Sequence, residues 1–126
     1  MDAVEYPKIS LGPHEVTVRY TQAAMVLLQR KYDIDPRVLP SYLKDNPNAK
    51  DNLIKIFSAC VAENFIDRSN PAKVSLDTAP SADYWLSLIE SAEQFQEIDQ
   101  ALSTAIKKAR EAARQREAPA LEVVAS

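Results

Sequence analysis

The sequence predicts a mainly α-helical domain in which an N-terminal β-hairpin packs on a bundle of about four to five helices. The chain of 126 residues contains one glycine, whereas glycine makes up about 7% of an average protein. Because glycine supplies the positive φ angles of tight turns, so low a content disfavours a many-stranded sheet. Apolar residues alternate over residues 8–20, which is the period of a strand, and they recur at helical spacing after Thr21.

The composition is that of an ordinary globular domain, with 46% hydrophobic and 26% charged residues. The length fits one domain, which we place at residues 1–117, with a flexible tail at residues 118–126. A net charge of −3 gives no overall attraction for DNA or for anionic membranes. One cysteine excludes an intrachain disulfide. Since neither a signal peptide nor an apolar run of about 20 residues is visible, we expect a cytoplasmic protein.

In the predicted hairpin of residues 8–20, apolar side chains occupy alternate positions on both sides of "GPHE", which we interpret as a four-residue turn. The apolar face consists of Ile9, Leu11, Val16, Val18 and Tyr20. A two-stranded hairpin is marginal in water, so we expect this face to lie on the helices. The two strand edges offer a route to self-association by edge pairing.

The first half of the helical region contains three predicted helices. Thr21 is a favourable N-cap for a helix over "QAAMVLLQRKY". Asp35 and Pro36 open a short second helix, whose regularity is limited by Pro40. The apolar spacing over residues 47–65 is typical of a central core helix.

The second half contains two further helical patterns, which follow a long polar connection over residues 67–81. Ser81 is placed to cap the first of them, and Trp85 lies on its apolar face. The stretch "SAEQF" is expected to bend or interrupt the helix before the last pattern, which runs from about Glu97 to Glu117. The inner face of this last helix is rich in alanine.

Two side chains could carry catalytic chemistry, and the sequence favours a structural role for both. We interpret His14 as an exposed turn residue, because its neighbour Glu15 points to the opposite face of a strand and cannot orient it. Cys60 falls on the apolar stripe of the core helix, where burial makes a thiol inert. With one histidine and one cysteine in the chain, a metal site would have to be rich in carboxylates, and no EF-hand spacing appears. We therefore expect no catalytic residue, metal or cofactor.

A small DNA-binding regulator is the alternative function. Residues 21–44 have the outline of a helix-turn-helix, in which Arg37, Ser41 and Lys44 lie on the second helix. Against this interpretation, the break "YDID" is acidic and lacks the usual glycine, and Pro40 falls inside the proposed recognition helix. The acidic chain also lacks the positive charge that phosphate contacts require.

Three other surfaces are candidates for binding a protein partner. A basic cluster near the C-terminus suits a solvated helix end or an acidic partner segment; it comprises Lys107, Lys108, Arg110, Arg114 and Arg116. Adjacent aromatic residues on one helix and small residues beyond the core on the last helix suit a protein interface. Our candidate partner-binding residues are Tyr84, Trp85, Ile106, Ala109, Ala112 and Ala113.

The order of these elements resembles that of the small tail assembly chaperones of long-tailed bacteriophages and gene transfer agents. The resemblance covers roughly residues 8–113 and rests on layout. The hairpin "KISLGPHEVTVRY" leads into the helix "TQAAMVLLQRKYDID", the core helix "NLIKIFSACVAENF" and the paired helices "YWLSLIESAEQFQEIDQALSTAIKKA". Many members have two glycines in the hairpin turn, whereas this chain has Gly12 followed by Pro13.

The resemblance implies a non-enzymatic role in the cytoplasm of a bacterial host. Such chaperones bind the tape measure protein and keep its long, apolar, helical chain soluble until tail tube subunits polymerise around it. Self-association fits this role, because one small domain cannot cover a very long helix. The expected partners are therefore a helical protein and further copies of the chain, rather than a nucleic acid or a membrane.

Overall fold

The protein is a helical domain with an N-terminal two-stranded antiparallel hairpin, which confirms the predicted fold class. The computed structural model describes residues 6–43, 47–66, 69–70 and 79–125, with side chains described in these ranges except at 40 and 115–125. The elements are β1 (Lys8–Leu11), β2 (His14–Thr17), α1 (Gln22–Tyr32), a first 3-10 turn (Pro36–Val38), α2 (Leu39–Leu43), α3 (Ala49–Val61), a second 3-10 turn (Ala62–Phe65), α4 (Ala82–Leu88) and α5 (Ala92–Ala125).

The hairpin pairs Ile9 with Val16 and Leu11 with His14, and its apolar face is buried as the alternation predicts. The connection is shorter than the predicted four-residue turn, because His14 already pairs as the first residue of β2. Gly12 has a φ of +56°, whereas Pro13 is confined to a negative φ. This combination fits a type II′ turn, which requires a positive φ only at its first central residue.

The outer edge of β2 is closed by α3 and the second 3-10 turn. The side-chain Oδ1 of Asn64 accepts a hydrogen bond from the Thr17 N–H at 3.1 Å, and its Nδ2 donates to the Thr17 carbonyl at 2.8 Å. The Arg19 N–H donates to the Cys60 carbonyl at 3.0 Å. The backbone groups of Thr17 and the Arg19 N–H are thereby satisfied inside the domain, so this end of the edge is covered. Self-association by pairing elsewhere on the hairpin edges stays a prediction.

Thr21 caps α1 as predicted. Its hydroxyl accepts a hydrogen bond from the Ala24 N–H at 3.1 Å and donates to Glu63 Oε1 at 2.9 Å. At the other end, Asp33 adopts a left-handed conformation with a φ of 54°, and its N–H donates to the Leu28 carbonyl. The same hydroxyl therefore caps α1 and ties its start to the second 3-10 turn.

Helix α3 is the central core helix, as the sequence predicts, and it contacts α1, α2, α4 and α5. Two of its polar residues are buried, and both have hydrogen-bond partners. Asn52 donates to the Tyr42 carbonyl at 3.1 Å. Ser58 donates to the Pro80 carbonyl at 3.0 Å and lies 3.1 Å from the Tyr32 hydroxyl. These bonds join α3 to α1, to α2 and to the approach to α4.

Helices α4 and α5 differ from the prediction at their ends. Ser81 occupies the N-cap position of α4, but its hydroxyl makes no capping hydrogen bond. Helix α5 begins at Ala92, earlier than the predicted start near Glu97, and it continues to Ala125 through the segment that we expected to be a tail. The flexibility of residues 118–126 stays a prediction. Most of the predicted polar connection, at 71–78, lies outside the described residues.

None of the helices in the described part of the chain combines the length and apolar character that a membrane span requires.

Candidate functional site

An open cavity of about 350 Å³ lies between α2 and α5. Its apolar residues are Leu39, Leu43 and Ile106, two of which also belong to the core. Polar and charged residues surround them, namely Ser103, Lys107, Arg110, Glu111 and Arg114. An apolar floor with a charged rim is the arrangement in which one partner side chain can be buried while its flanks stay hydrated.

A second cavity of about 230 Å³ continues in the direction of the start of α5 and shares Leu43 with the first. It is lined by Leu43, Ala49, Lys50, Leu53, Phe95, Gln96 and Asp99. We call the two cavities together the α2–α5 groove. On α5 the groove reaches from Phe95 to Arg114, which is roughly 28 Å at about 1.5 Å per helical residue. A partner helix of several turns therefore matches its length.

Helix α5 forms one wall of the groove because two of its stripes have different environments. The stripe that packs on the core consists of Ile98, Ala101, Leu102 and Ala105, all of which are buried. The neighbouring stripe carries Phe95, Asp99, Ser103, Ile106, Arg110 and Arg114 at helical spacing. It opens to solvent beside α2 at the first cavity, and beside the start of α3 and Leu43 at the second. Among the described side chains of α5, only Ile106 combines burial at the core with a position in the groove.

Positive charge is concentrated at one end of the α2–α5 groove. Lys107, Arg110 and Arg114 line the first cavity together with Glu111, which gives a formal charge of +2 there from three cations and one anion. The second cavity contains Lys50 and Asp99, whose formal charges cancel. The groove is thus basic near Arg114 and neutral near Phe95, in a chain whose net charge is −3.

The predicted basic cluster is divided between two sides of α5. Lys107, Arg110 and Arg114 lie on the groove, whereas the Lys108 ammonium stands 5.8 Å from the centre of the Tyr6 ring, beside which Arg19 also stacks. The side chain at position 116 lies outside the described residues. Three of the five predicted cations therefore share one surface.

The predicted partner-binding residues lie in different environments and do not form one surface. Trp85 is fully buried, so it has no surface to offer a partner in this conformation, and we remove it from the candidate surface. Its neighbour Tyr84 is 38% exposed, and its hydroxyl lies 2.6 Å from His14 Nε2. Ile106 lines the α2–α5 groove. On the same helix Ala109 and Ala112 are half-buried and Ala113 is exposed.

His14 is not the exposed turn residue that we expected. It is half-buried at the start of β2, and its ring makes edge contacts with the rings of Phe65, Tyr84 and Trp85. The ring centres of His14 and Trp85 are 5.3 Å apart. The imidazole therefore packs the hairpin onto α4, a role that the neighbouring residues in the sequence do not reveal.

Cys60 lies in the core, as predicted. Its side chain is buried on α3, and burial raises the pKa of the thiol well above its usual range. A thiol that stays protonated is a weak nucleophile and a weak metal ligand. Among the described residues, His, Cys, Asp and Glu side chains form no group of three or more that could hold a metal ion.

The helix-turn-helix interpretation gains little from the geometry of residues 21–43. Helix α2 has five residues. The guanidinium of Arg37 donates to both oxygens of Asp35, at 3.1 and 3.0 Å, and these bonds hold the pKa of the Asp35 carboxyl below its usual value. Ser41 Oγ donates to the Val38 carbonyl at 2.7 Å, and position 44 lies outside the described residues.

Comparisons with protein-family models, with curated proteins and with solved structures give no match. The resemblance to tail assembly chaperones therefore rests on the order of elements in the sequence. The α2–α5 groove itself was not predicted. Its apolar positions at Leu39 and Leu43 and its cations on α5 are visible in the sequence, but their adjacency depends on how α2 and α5 each pack on α3.

Proposed function

We propose that this chain is a non-enzymatic chaperone that binds helical segments of a partner protein. The resemblance in sequence makes the partner a phage tape measure protein and the setting tail assembly in a bacterial cytoplasm. The observation that carries the proposal is the α2–α5 groove, two open cavities that share Leu43 and together follow α5 over roughly 28 Å, each with apolar residues in its lining. An amphipathic helix that lays its apolar face in such a groove is a recurrent mode of recognition.

The two residues best suited to catalysis support the non-enzymatic part of the proposal. His14 is engaged by the Tyr84 hydroxyl and by three aromatic rings. Cys60 is buried in the core with a raised pKa. Each of these side chains is accounted for by packing between elements of the domain, so neither needs a catalytic role to explain its environment.

A groove of this size covers only a short part of a long helical partner. Several copies bound along the partner would be required to keep its apolar surface away from solvent. The proposal therefore includes more than one copy of the chain for each partner molecule, whether or not the copies touch one another.

The experiment is co-expression of the chain with the tape measure protein of the same genome, with the soluble fraction of the partner as the readout. We expect the chain to keep the partner soluble and to co-purify with it. Ser103→Trp fills the first cavity with a large side chain from an exposed position of α5, and it should abolish both effects. Thr104→Trp adds the same side chain at the next exposed position, which lies outside the groove, and should leave them intact.

Failure of the wild-type chain to bind or solubilise the partner would overturn the proposed function. So would equal activity of the two tryptophan variants with the partner, because the groove would then be dispensable. Duplex DNA binding that weakens steeply with salt would instead favour the DNA-binding alternative.

A further inference from the structure

The cations at the basic end of the α2–α5 groove can form ion pairs with a partner. Lys107, Arg110 and Arg114 form no salt bridge within the part of the chain that the structure describes. All three are exposed, and all three line the first cavity. They differ in this from Arg37 and Lys55, whose charges are paired with Asp35 and Asp51.

These cations surround an apolar floor, so that charge and hydrophobic surface are presented together. Leu39 and Ile106 are 2% and 9% exposed, so they form the floor of the first cavity. The space above this floor and inside the ring of cations can be filled by side chains of a partner. A partner that places an acidic side chain next to an apolar one would pair with the cations and fill the apolar floor at the same time. Charge complementarity of this kind sets orientation and association rate more than it sets affinity.

The opposite end of the groove imposes a different requirement. There Lys50 and Asp99 have opposite charges, and the Lys50 ammonium stands 5.5 Å from the centre of the Phe95 ring. This end offers an apolar aromatic surface without net charge. A partner segment that is uniformly acidic would gain from only one half of the groove.

We infer that the α2–α5 groove binds an amphipathic helix that is acidic at one end, with its acidic end beside Lys107, Arg110 and Arg114 and its uncharged end beside Phe95. The inference rests on the proposed function, to which it adds the chemistry and the orientation of the bound segment. In a tape measure protein the preferred segments would therefore be those whose acidic residues are clustered at one end of an apolar stripe.

The first test uses designed helical peptides, so that its result does not depend on the tape measure protein. Each peptide has about 18 residues, which span roughly 27 Å as a helix, and carries leucines at helical spacing. One has glutamates clustered at one end, a second has lysines at the same positions, and a third has the glutamates distributed along the polar face. Binding is measured by fluorescence anisotropy at low and at physiological salt.

We expect the clustered glutamate peptide to bind most tightly and the lysine peptide to bind most weakly. Lys107→Glu combined with Arg110→Glu should weaken the clustered glutamate peptide by about fivefold or more, the order expected from two exposed ion pairs, and should strengthen the lysine peptide. The matched control, Lys8→Glu combined with Lys31→Glu, changes the net charge equally at exposed positions outside the groove and should leave the preference unchanged.

Orientation is tested by cross-linking. A photoreactive group at the glutamate end of the peptide should attach near Lys107–Arg114, and the same group at the other end should attach near Phe95–Asp99. Equal attachment at both sites, or equal binding of the glutamate and lysine peptides, would overturn the inference. Folding of each variant is checked by its melting temperature.

A second arm uses overlapping segments of the tape measure protein and separates this inference from the proposed function. Segments that bind regardless of their charge, and equally to both double variants, would leave the function standing and overturn the inference. If the groove prefers the clustered glutamate peptide but binds no tape measure segment, the charge preference of the groove stands and the proposed function is overturned. The chain could also self-associate in a way that Lys107→Glu combined with Arg110→Glu abolishes, while showing no preference among the peptides. A second copy of the chain would then be the occupant of the groove, and the inference would be overturned.

Discussion

The side-chain amide of Asn64 pairs with the backbone of Thr17 in both directions, as a neighbouring strand would. It accepts from the Thr17 N–H at 3.1 Å and donates to the Thr17 carbonyl at 2.8 Å. An unpaired strand edge is a template for association with other chains. This one residue therefore covers the edge of β2 at Thr17 and fixes the hairpin to the second 3-10 turn, where it also donates to the Val61 carbonyl at 2.9 Å.

We expect Asn64→Asp to lower the free energy of unfolding by about 0.5–1.5 kcal/mol, the usual net contribution of a hydrogen bond, because Asn64 is exposed. Aspartate can still accept from the Thr17 N–H, but it cannot donate to the carbonyls of Thr17 and Val61. Urea denaturation measures the effect, with Gln100→Glu at an exposed position of α5 as the matched amide-to-acid control. An unchanged denaturation midpoint for Asn64→Asp would show that the side chain does not hold the edge.

The hairpin turn gives a second prediction. At Gly12, with its φ of +56°, an added Cβ would lie 3.0 Å from Leu88 Cδ2. Gly12→Ala therefore combines an unfavourable left-handed backbone with crowding against α4, and we expect a loss of stability of about 1–2 kcal/mol. Thermal denaturation tests this, with Ser10→Ala on the exposed face of β1 as the control. A melting temperature equal to that of the wild type would contradict the proposed strain.

The hairpin also shows which parts of the fold the sequence predicts. Alternation places Ile9, Leu11 and Val16 on one face, because this face must be buried on the helices, and the structure buries all three. The length of the turn was wrong, since the pairing of His14 with Leu11 depends on the register across the strands. The apolar pattern along one segment predicts which residues are buried. The strand register depends on how two segments pair, so this pattern does not predict it.

The sequence predicts the part of the candidate site that lies on one helix, because the apolar pattern of a single segment is readable from the sequence. Ile106, Ala109 and the basic residues of α5 are evident from helical spacing, and Ile106 does line the α2–α5 groove. The other wall comes from α2 and the start of α3, and α2 and α5 come together because both pack on α3. Helical spacing makes both adjacent aromatics on α4 candidates, whereas burial of Trp85 leaves only Tyr84 exposed. Periodicity does not decide how deeply a residue packs.

Replacement of His14 tests the non-enzymatic interpretation. His14→Ala should lower stability by about 1 kcal/mol, because it removes the contact between Nε2 and the Tyr84 hydroxyl at 2.6 Å and leaves space among the aromatic rings. Binding of the partner, measured by co-purification, should persist in the folded variant. Tyr84→Phe removes the same polar contact and keeps the ring, so it should cost less. Complete loss of function in a correctly folded His14→Ala protein would favour a catalytic or binding role for the imidazole.

Alkaline pH should destabilise the domain through Tyr20 and Cys60. Burial raises the pKa of Tyr20 to about 12, from an ordinary value near 10. The unfolded chain therefore releases this proton first, and the stability due to the neutral phenol is lost as the pH rises from about 10 to about 12, by at most about 1.4 kcal/mol per pH unit. Burial also raises the pKa of Cys60, which acts in the same direction from about pH 8.5 upwards.

Denaturation midpoints measured from pH 7 to pH 12 check this pH dependence. Tyr20→Phe should keep nearly the wild-type stability at pH 7 and show a smaller decline above pH 10. Cys60→Ala should reduce the decline that begins near pH 8.5, at the cost of a small cavity at all pH values. Parallel curves for the wild type and both variants would mean that neither proton is coupled to folding.

Two truncations distinguish the packing and binding roles of α5. Ile106 and Ala109 pack against the core, whereas Lys107, Arg110 and Arg114 line the α2–α5 groove. Deletion of residues 115–126 leaves all of these residues in place, so we expect the melting temperature and partner binding to stay near wild type. Deletion of residues 107–126 removes the basic rim together with Ala109, and we expect a lower melting temperature and loss of binding in the remaining folded fraction. Thermal denaturation measures the first effect, and binding of the clustered glutamate peptide to the folded fraction isolated by size-exclusion chromatography measures the second. Loss of binding on deletion of residues 115–126 alone would move the partner site beyond the groove.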